Sequence, residues 1–471
     1  MLFNKRGVFL VVILILFVFL FNLKLILSAP DNNLVCTGYP ISCEYLNLTA
    51  ALIGENNTMG SQIKILENNT IYGIDYKSSF NMSGTIAAIN ITGYNITLDC
   101  NGSIIKGNYT GYGIYSSNFD NLTIKNCYID RYNVGIGITT ASNLNITNNI
   151  VLNCSAGTLF SFNRVGMLFY GVNNSFLINN TVNNSEWGVL FYTGNYNNTI
   201  SYNNIMGNVE HGFQTYLDTA NFTITYNNLS YNNDSGAAFF GQQHFFAHNF
   251  LTGNKEGNLK VTGIYDTRNS NANTKIINNT LSNTIDGGSI GASSPEGYGI
   301  EVWDNNFEIS NNTIINSSRY AIHLCNGNNS IIIGNKIINQ TNYIAGGGIS
   351  FVSTSTLRSL GSNISLYVVI KDNILINNSF GINLQNGSCI NCNISGNNIS
   401  YSLNGIFLNN TINSNIINNT FNETGNISSY QDYFPIQIIN SSYLNITGNT
   451  FYNTNLTIKA IGIDSLSYNL T

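Results

Sequence analysis

Charge is scarce in this 471-residue chain: 18 Lys and Arg with 23 Asp and Glu make up 9% of it, and the formal net charge is −5. A protein that tracks a nucleic-acid backbone needs a basic stripe to displace phosphate counterions, and so few cations over this length exclude one. Proline is scarcer still at 4 residues, with 2 Trp and 4 His. No segment carries an apolar stripe at 3.6-residue spacing for ten residues, so amphipathic helices are not expected. What the chain does have is apolar mass, 43% with 12% aromatic, which is ample for a core and excludes general disorder. It also has Asn, 86 of 471 residues, beside 43 Gly. Both are poor helix formers that favour turns and left-handed backbone.

The one long hydrophobic run lies at the start. Lys5 and Arg6 precede an apolar stretch from Val8 to Phe21, which continues past Asn22 and Lys24 to Leu27 and meets Ser28 and Ala29. A basic start, apolar middle and small-residue end describe a secretory signal over residues 1–29. Ile26 or Leu27 three residues before the cut and Pro30 after it are imperfect for cleavage, so an uncleaved membrane anchor stays open. Either way the remainder is expected outside the cell, at the surface or secreted, meeting a membrane only through this segment. The 36 Asn-x-Ser/Thr sequons, more than twice what random placement would give, fit a glycosylated surface. They fit equally a repeat that happens to contain Asn-x-Thr, as in Asn121-Leu122-Thr123 and Asn145-Ile146-Thr147.

A repeat does run through the chain. A short apolar strand, an Asn-Asn step, another apolar pair, a polar turn and a Gly-Ile-x-Leu element recur, with Asn steps at Asn180, Asn204, Asn228, Asn249, Asn279, Asn312, Asn335, Asn373, Asn398, Asn419 and Asn449. The basic unit is about 21 to 25 residues, which marks a solenoid. The Gly element appears as Gly135-Ile136-Gly137-Ile138, Gly188-Val189-Leu190-Phe191, Gly299-Ile300-Glu301-Val302, Gly381-Ile382-Asn383-Leu384 and Gly405-Ile406-Phe407-Leu408, each with the period of a strand. A propeller blade needs about 40 residues. Three short strands and their turns fit the observed unit, and the result is a parallel β-helix of roughly 13 coils with Ile136, Val189, Ile300, Ile322, Ile382 and Ile406 stacked inward.

The segment Asn95-Ile96-Thr97-Leu98-Asp99-Cys100-Asn101-Gly102-Ser103-Ile104-Ile105-Lys106-Gly107, followed by Asn121-Leu122-Thr123-Ile124-Lys125-Asn126-Cys127, resembles the opening coils of the right-handed parallel β-helix repeat proteins. That group shares its fold with pectate lyases and includes periplasmic copper-maturation and archaeal surface proteins. The resemblance implies an all-β, right-handed solenoid over 88–471, behind a signal or anchor at 1–29 and an N-terminal cap region at 30–87. It implies little about activity, because lyases, hydrolases, epimerases and adhesins share the fold.

Cysteine adds little chemistry. Cys36 and Cys43 are the expected disulfide in an oxidising compartment. Cys100, Cys127 and Cys154 recur every 27 residues and read as buried thiols or, for the first two, a bridge. Cys389-Ile390-Asn391-Cys392 has redox or zinc spacing but no second pair or nearby His, so it reads as a local bridge or as inert.

Two constellations could carry function. Polygalacturonase-like chemistry is set aside, since the chain has no Asp-Asp and no Arg-x-Lys. Pectate lyases need acidic residues around calcium with a cation to take the proton. Two residues before the strand Gly, successive coils place Arg164, Glu186, Glu210 and Asp234, with His211 adjacent. Carboxylates one coil apart repel, and would raise a pKa or call for a cation such as calcium; a solvated turn of alternating charge is the plain alternative. The second constellation is the outward side of the Gly-Ile strands, with Glu301 and Trp303, His323 and Cys325, Asn383 and Gln385, and Tyr216 and Phe240 lower in the same face. Aromatic platforms with amides and carboxylates bind sugar chains. The sequence therefore leaves open a non-catalytic surface module holding polysaccharide or surface glycans, a structural or adhesive role, and a calcium-dependent lyase or glycoside hydrolase at Glu186, Glu210 and Asp234. No other cofactor is implied.

Overall fold

The structure is a computed structural model and describes residues 62–65, 71–73, 87–107, 109–154, 164–216, 218–262, 273–285, 297–303, 305–325, 327–340, 347–351, 364–384, 388–424, 434–453, 460–464 and 466–471. The expected signal or anchor, Cys36, Cys43 and Gln385 lie outside these. The described residues contain strands and no helix. One turn runs from Thr123–Lys125 through Tyr128–Asp130 to Val134–Ser142, and the next repeats it with Asn145–Thr147, Ile150–Leu152 and Val165–Asn173. Equivalent residues pair in parallel from coil to coil, as in Ile124↔Ile146, Ile129↔Val151 and Ile136↔Met167. The first sheet has 16 strands, from Gln62–Ile65 to Tyr468–Leu470, and the second has 15, from Ile71–Gly73 to Thr450–Tyr452. A third sheet climbs beside them from Ala87–Ile91 to Ile461–Ile463. The rungs exceed the expected 13 partly because Gln62–Ile65 and Ile71–Gly73, inside the stretch expected as a cap, already pair with Ile96–Asp99 and Ile104–Lys106.

The three-residue strands of the first two sheets bury their middle side chain from Ile104–Lys106 to Thr420–Asn422, so Ile124, Ile146 and Leu177 stack in the bore from one sheet and Ile129, Val151 and Val182 from the next. In the third sheet an unbroken register joins Ile136, Met167, Val189, Phe213, Ala237, Leu259, Ile300 and Ile322, and continues through Ile349 to Ile382 and Ile406. Each buried aliphatic rung contributes about 1.5–3 kcal/mol. The Gly before this column is required by close approach: a Cβ on Gly166 would lie 2.2 Å from Val182 and 2.6 Å from the carbonyl of Gly188.

Corners explain the Asn content. The residue ending each first-sheet strand's turn adopts positive φ, as at Asn126 (56°), Asn148 (57°) and Asn179 (55°), a conformation that Asn tolerates better than other side chains. The next residue is buried and forms a ladder of twelve: Asn149, Asn180, Asn203, Asn227, Asn249, Asn279, Asn312, Asn335, Asn373, Asn397, Asn419 and Asn449. The Nδ2 of each of the first eleven donates to the Oδ1 one coil on, at 2.9–3.1 Å. Three rungs differ from the sequence reading by one residue, because Asn204, Asn228 and Asn398 instead open second-sheet strands. A positive-φ Asn, a ladder Asn and a Thr at the strand start spell Asn-Asn-Thr, so corner geometry accounts for sequons such as Asn179 and Asn278.

Cys100 and Cys127 are joined in a disulfide across successive turns of the first corner, while Cys154 falls in the second corner and stays a buried free thiol, its pKa pushed up to about 12 by burial. The equal 27-residue spacing is therefore not one column. Cys389 and Cys392 form a local bridge.

Candidate functional site

The corner entering the third sheet collects charge. Backbone bonds stack Glu186 on Arg164 (3.0 Å), Glu210 on Glu186 (2.7 Å) and Glu256 on Asp234 (3.2 Å). Glu256 was not recognised from sequence because Asn258 replaces the frame's Gly in that coil, where it accepts from Asn254 Nδ2 at 2.8 Å. The chain's own cations sit among the carboxylates. Arg164 Nη1 is 3.0 Å from Glu186 Oε2, His211 Nδ1 is 3.3 Å from Asp234 Oδ1, and Lys260 Nζ reaches Asp234 Oδ1 at 3.2 Å and Glu256 Oε2 at 3.3 Å. Burial opposes ionisation of Asp234, but the hydrogen bond and charge of His211, with Lys260, hold its carboxyl well below the usual range. Glu210 goes the other way, raised by burial and then by the charge of Asp234. Opposite shifts on adjacent carboxyls are the pattern of an acid and a base.

The outward column of the third sheet begins where the charged corner ends, because Lys260 pairs in register with Glu301, Glu301 with His323, His323 with Ser350 and Ser350 with Asn383. Alternation places these side chains outside the bore, as expected, but the face is not open: His323 is 1% exposed and Asn383 0%. Tyr298 stacks on the His323 ring with centroids 4.4 Å apart, and Asn383 Nδ2 donates to Tyr320 Oη at 3.0 Å. Glu301 accepts from Trp303 and is raised chiefly by burial. His323 has no hydrogen-bond partner on either ring nitrogen, and burial pushes its pKa down to about 3. A buried polar group left unsatisfied costs about 1–3 kcal/mol, so an unmet pair of nitrogens at full burial calls for explanation. Cys325, a free thiol just past the end of the strand Tyr320–Leu324, is raised well above its ordinary value by burial.

A third feature flanks this column. Tyr170, Tyr192, Tyr216 and Phe240 form an aromatic ladder over four coils, with centroids 5.9, 5.2 and 5.3 Å apart and the Tyr192 and Tyr216 planes within 4°. Tyr216 and Phe240 thus stand together as expected. Their ring faces are occupied by one another, so solvent meets mainly edges and phenol hydroxyls. A second ladder, Tyr202, Tyr226 and His248, lies at the first corner and was not recognised from sequence. Its signal was available in the positive-φ frame, where Tyr replaces Asn at 202 and 226.

Metal-holding capacity divides the two constellations. Among the described residues, one group of three His, Cys, Asp or Glu side chains brings its ligand atoms within 4.8 Å of one another, and it is Glu301, His323 and Cys325. Glu186, Glu210 and Asp234 are stacked but do not converge in this way.

Residues 90–293 match the family described as periplasmic copper-binding protein (NosD), and residues 262–421 match the right handed beta helix region. Among the described residues of 90–293 no such converging group occurs. No curated protein matches the chain. Among solved structures, DFA-IIIase from Arthrobacter chlorophenolicus A6 in complex with GF2 is 13% identical over 51% of this chain and 66% of its own, with TM-score 0.39. The catalytic domain of a GH87 alpha-1,3-glucanase in complex with tetrasaccharides is 11% identical over 86% and 64%, with TM-score 0.39. The tailspike protein of E. coli bacteriophage HK620 in complex with pentasaccharide is 10% identical over 86% and 74%, with TM-score 0.37. The chain spans about two-thirds of the length of the first two. With three parallel sheets wound on one bore and the family matches along its length, the chain belongs to the right-handed parallel β-helix repeat proteins.

Proposed function

We propose that the chain is an exported, non-catalytic surface protein that holds a polysaccharide along the outward side of its third sheet. The aromatic ladder of Tyr170, Tyr192, Tyr216 and Phe240 carries this reading. Its rings repeat at 5.2–5.9 Å, one for each successive strand. A linear polymer laid along the axis would meet the same chemistry at each step. Export rests on the basic and apolar start of the sequence. A calcium-dependent lyase has less support, because Arg164 already pairs with Glu186 and Lys260 with Asp234.

One observation favours a second reading as a glycoside hydrolase. Glu210 is held up beside an Asp234 held down, which suits one carboxyl to donate a proton and the other to act as base or nucleophile. A glycan array read with and without calcium, together with reducing-end release from acidic and neutral polysaccharides, separates the readings. Binding without release, weakened at least tenfold in the Tyr192→Ala, Tyr216→Ala double variant, is the expected result. Release abolished by Glu210→Gln would install the hydrolase instead, and retention of no polysaccharide would end both.

A further inference from the structure

We propose that Glu301, His323 and Cys325 form a binding site for a borderline-soft divalent transition-metal cation of the zinc type. The site follows from strand geometry. His323 and Cys325 are separated by one residue at the end of the third-sheet strand Tyr320–Leu324, and period two directs both to the outward side. Glu301 pairs with His323 in register from the preceding coil. An imidazole nitrogen, a thiolate sulfur and a carboxylate oxygen are thereby brought within 4.8 Å of one another. Around zinc such atoms stand about 2.0–2.3 Å from the ion, so a modest inward adjustment closes the set. Three protein donors leave a fourth position for water or another ligand.

Two observations beyond the clustering point to an ion. His323 is 1% exposed with neither ring nitrogen hydrogen-bonded, whereas the amides of the Asn ladder pair rung by rung. The ring is fixed by stacking on Tyr298 at 4.4 Å. Cys325 is a free thiol that no disulfide uses. The mixed N, S, O set disfavours calcium or magnesium, which take oxygen donors. On binding, the thiol gives up its proton to solvent and becomes the ligand, so affinity rises with pH. The inference is independent of the polysaccharide reading, and the residues lie beyond the stretch that matches the copper-binding family.

The test uses the full chain stripped with chelator and titrated with zinc chloride by calorimetry, and separately with cobalt(II) chloride in the spectrophotometer. One zinc per chain, a rise in melting temperature and a thiolate-to-cobalt charge-transfer band are expected. Cys325→Ser should remove the band, and His323→Ala should weaken zinc at least tenfold, while far-ultraviolet circular dichroism stays that of the parent. Should either variant misfold, Glu301→Gln gives the same reading, with at least tenfold weaker zinc expected. Failure of the parent to retain zinc after desalting, or zinc affinity and a cobalt band unchanged in the folded variants, would overturn the site. Neither outcome depends on whether polysaccharide binds.

Discussion

Asn279 shows how much one side chain does here. Its Nδ2 donates to Phe246 O at 3.0 Å and Asn312 Oδ1 at 2.9 Å, and its Oδ1 accepts from the backbone and side-chain nitrogens of Asn249 at 2.8 and 3.1 Å. Asn279→Ala removes all four and strands their buried partners, so a loss of about 4 kcal/mol is expected, read by denaturant unfolding and by faster amide exchange in the flanking coils. His244 offers a different test. Its Nδ1 lies 3.4 Å from the Phe222 amide and its Nε2 lies 3.3 Å from Phe240 O, so the neutral ring is held on both sides, and burial lowers its pKa to about 4. In the unfolded chain the group titrates near 6.5, so between pH 6.5 and 4 the unfolded state binds the extra proton and stability falls as pH falls. His244→Phe should flatten that fall by up to about 3 kcal/mol, measured as the parent-minus-variant difference in melting across pH. Sequence reading found the Asn step but misplaced Asn203, Asn227 and Asn397 by one, because adjacent Asn residues look alike on paper while only one of each pair faces inward.

At the scale of the strand, Ile382 is the telling position. It is 0% exposed in the inward column, and Ile382→Asp would place a carboxylate in a dry bore at a cost of several kcal/mol. A parent-like melting curve for that variant would contradict the column. The charged corner gives the opposite sign. Glu210 has a raised pKa, so the folded state loses stability as pH rises through its titration. Glu210→Gln is therefore expected to melt at or above the parent temperature at neutral pH, and calcium is expected to shift neither protein, since Arg164 and Lys260 supply the counter-charge. Alternation in Gly299-Ile300-Glu301-Val302 was enough to read Glu301 as pointing out of the bore. It could not reveal that His323 and Asn383, on the same side, are enclosed, because exposure depends on what packs over a strand and not on its own period. Lys260, which joins the charged corner to Glu301, was missed because Asn258 breaks the Gly-Ile frame of its strand.

The whole molecule is one-dimensional in its energetics, each coil touching mainly its neighbours. Local damage should stay local. Reducing the Cys100–Cys127 disulfide is expected to speed amide exchange in residues 87–130 while leaving residues 300–420 protected, measured by exchange with mass spectrometry. Uniform deprotection would show that the rod unfolds as one unit. The repeat was legible because bore, corner and turn impose separate residue types at fixed offsets. The coil of Gln62–Ile65 and Ile71–Gly73 was not: it pairs like the rest and Asn68-Asn69-Thr70 carries the Asn step, but it lies in the stretch expected as a cap.

The twelve-rung Asn ladder has a direction. From Asn149 to Asn419 every amide gives one N–H to the Asn oxygen of the later coil and the other to a backbone carbonyl of the earlier one. Peptide units aligned head to tail in an α-helix sum to about half a charge at each end. Here the side-chain carbonyls are aligned in the same manner, with oxygens toward Asn149 and one N–H of each amide toward Asn449, and bonds in such a chain polarise one another. The solenoid is consequently an electric dipole along one edge, negative at its first rung and positive at its last, and end-to-end contacts between two copies are electrostatically favoured when they stack head to tail.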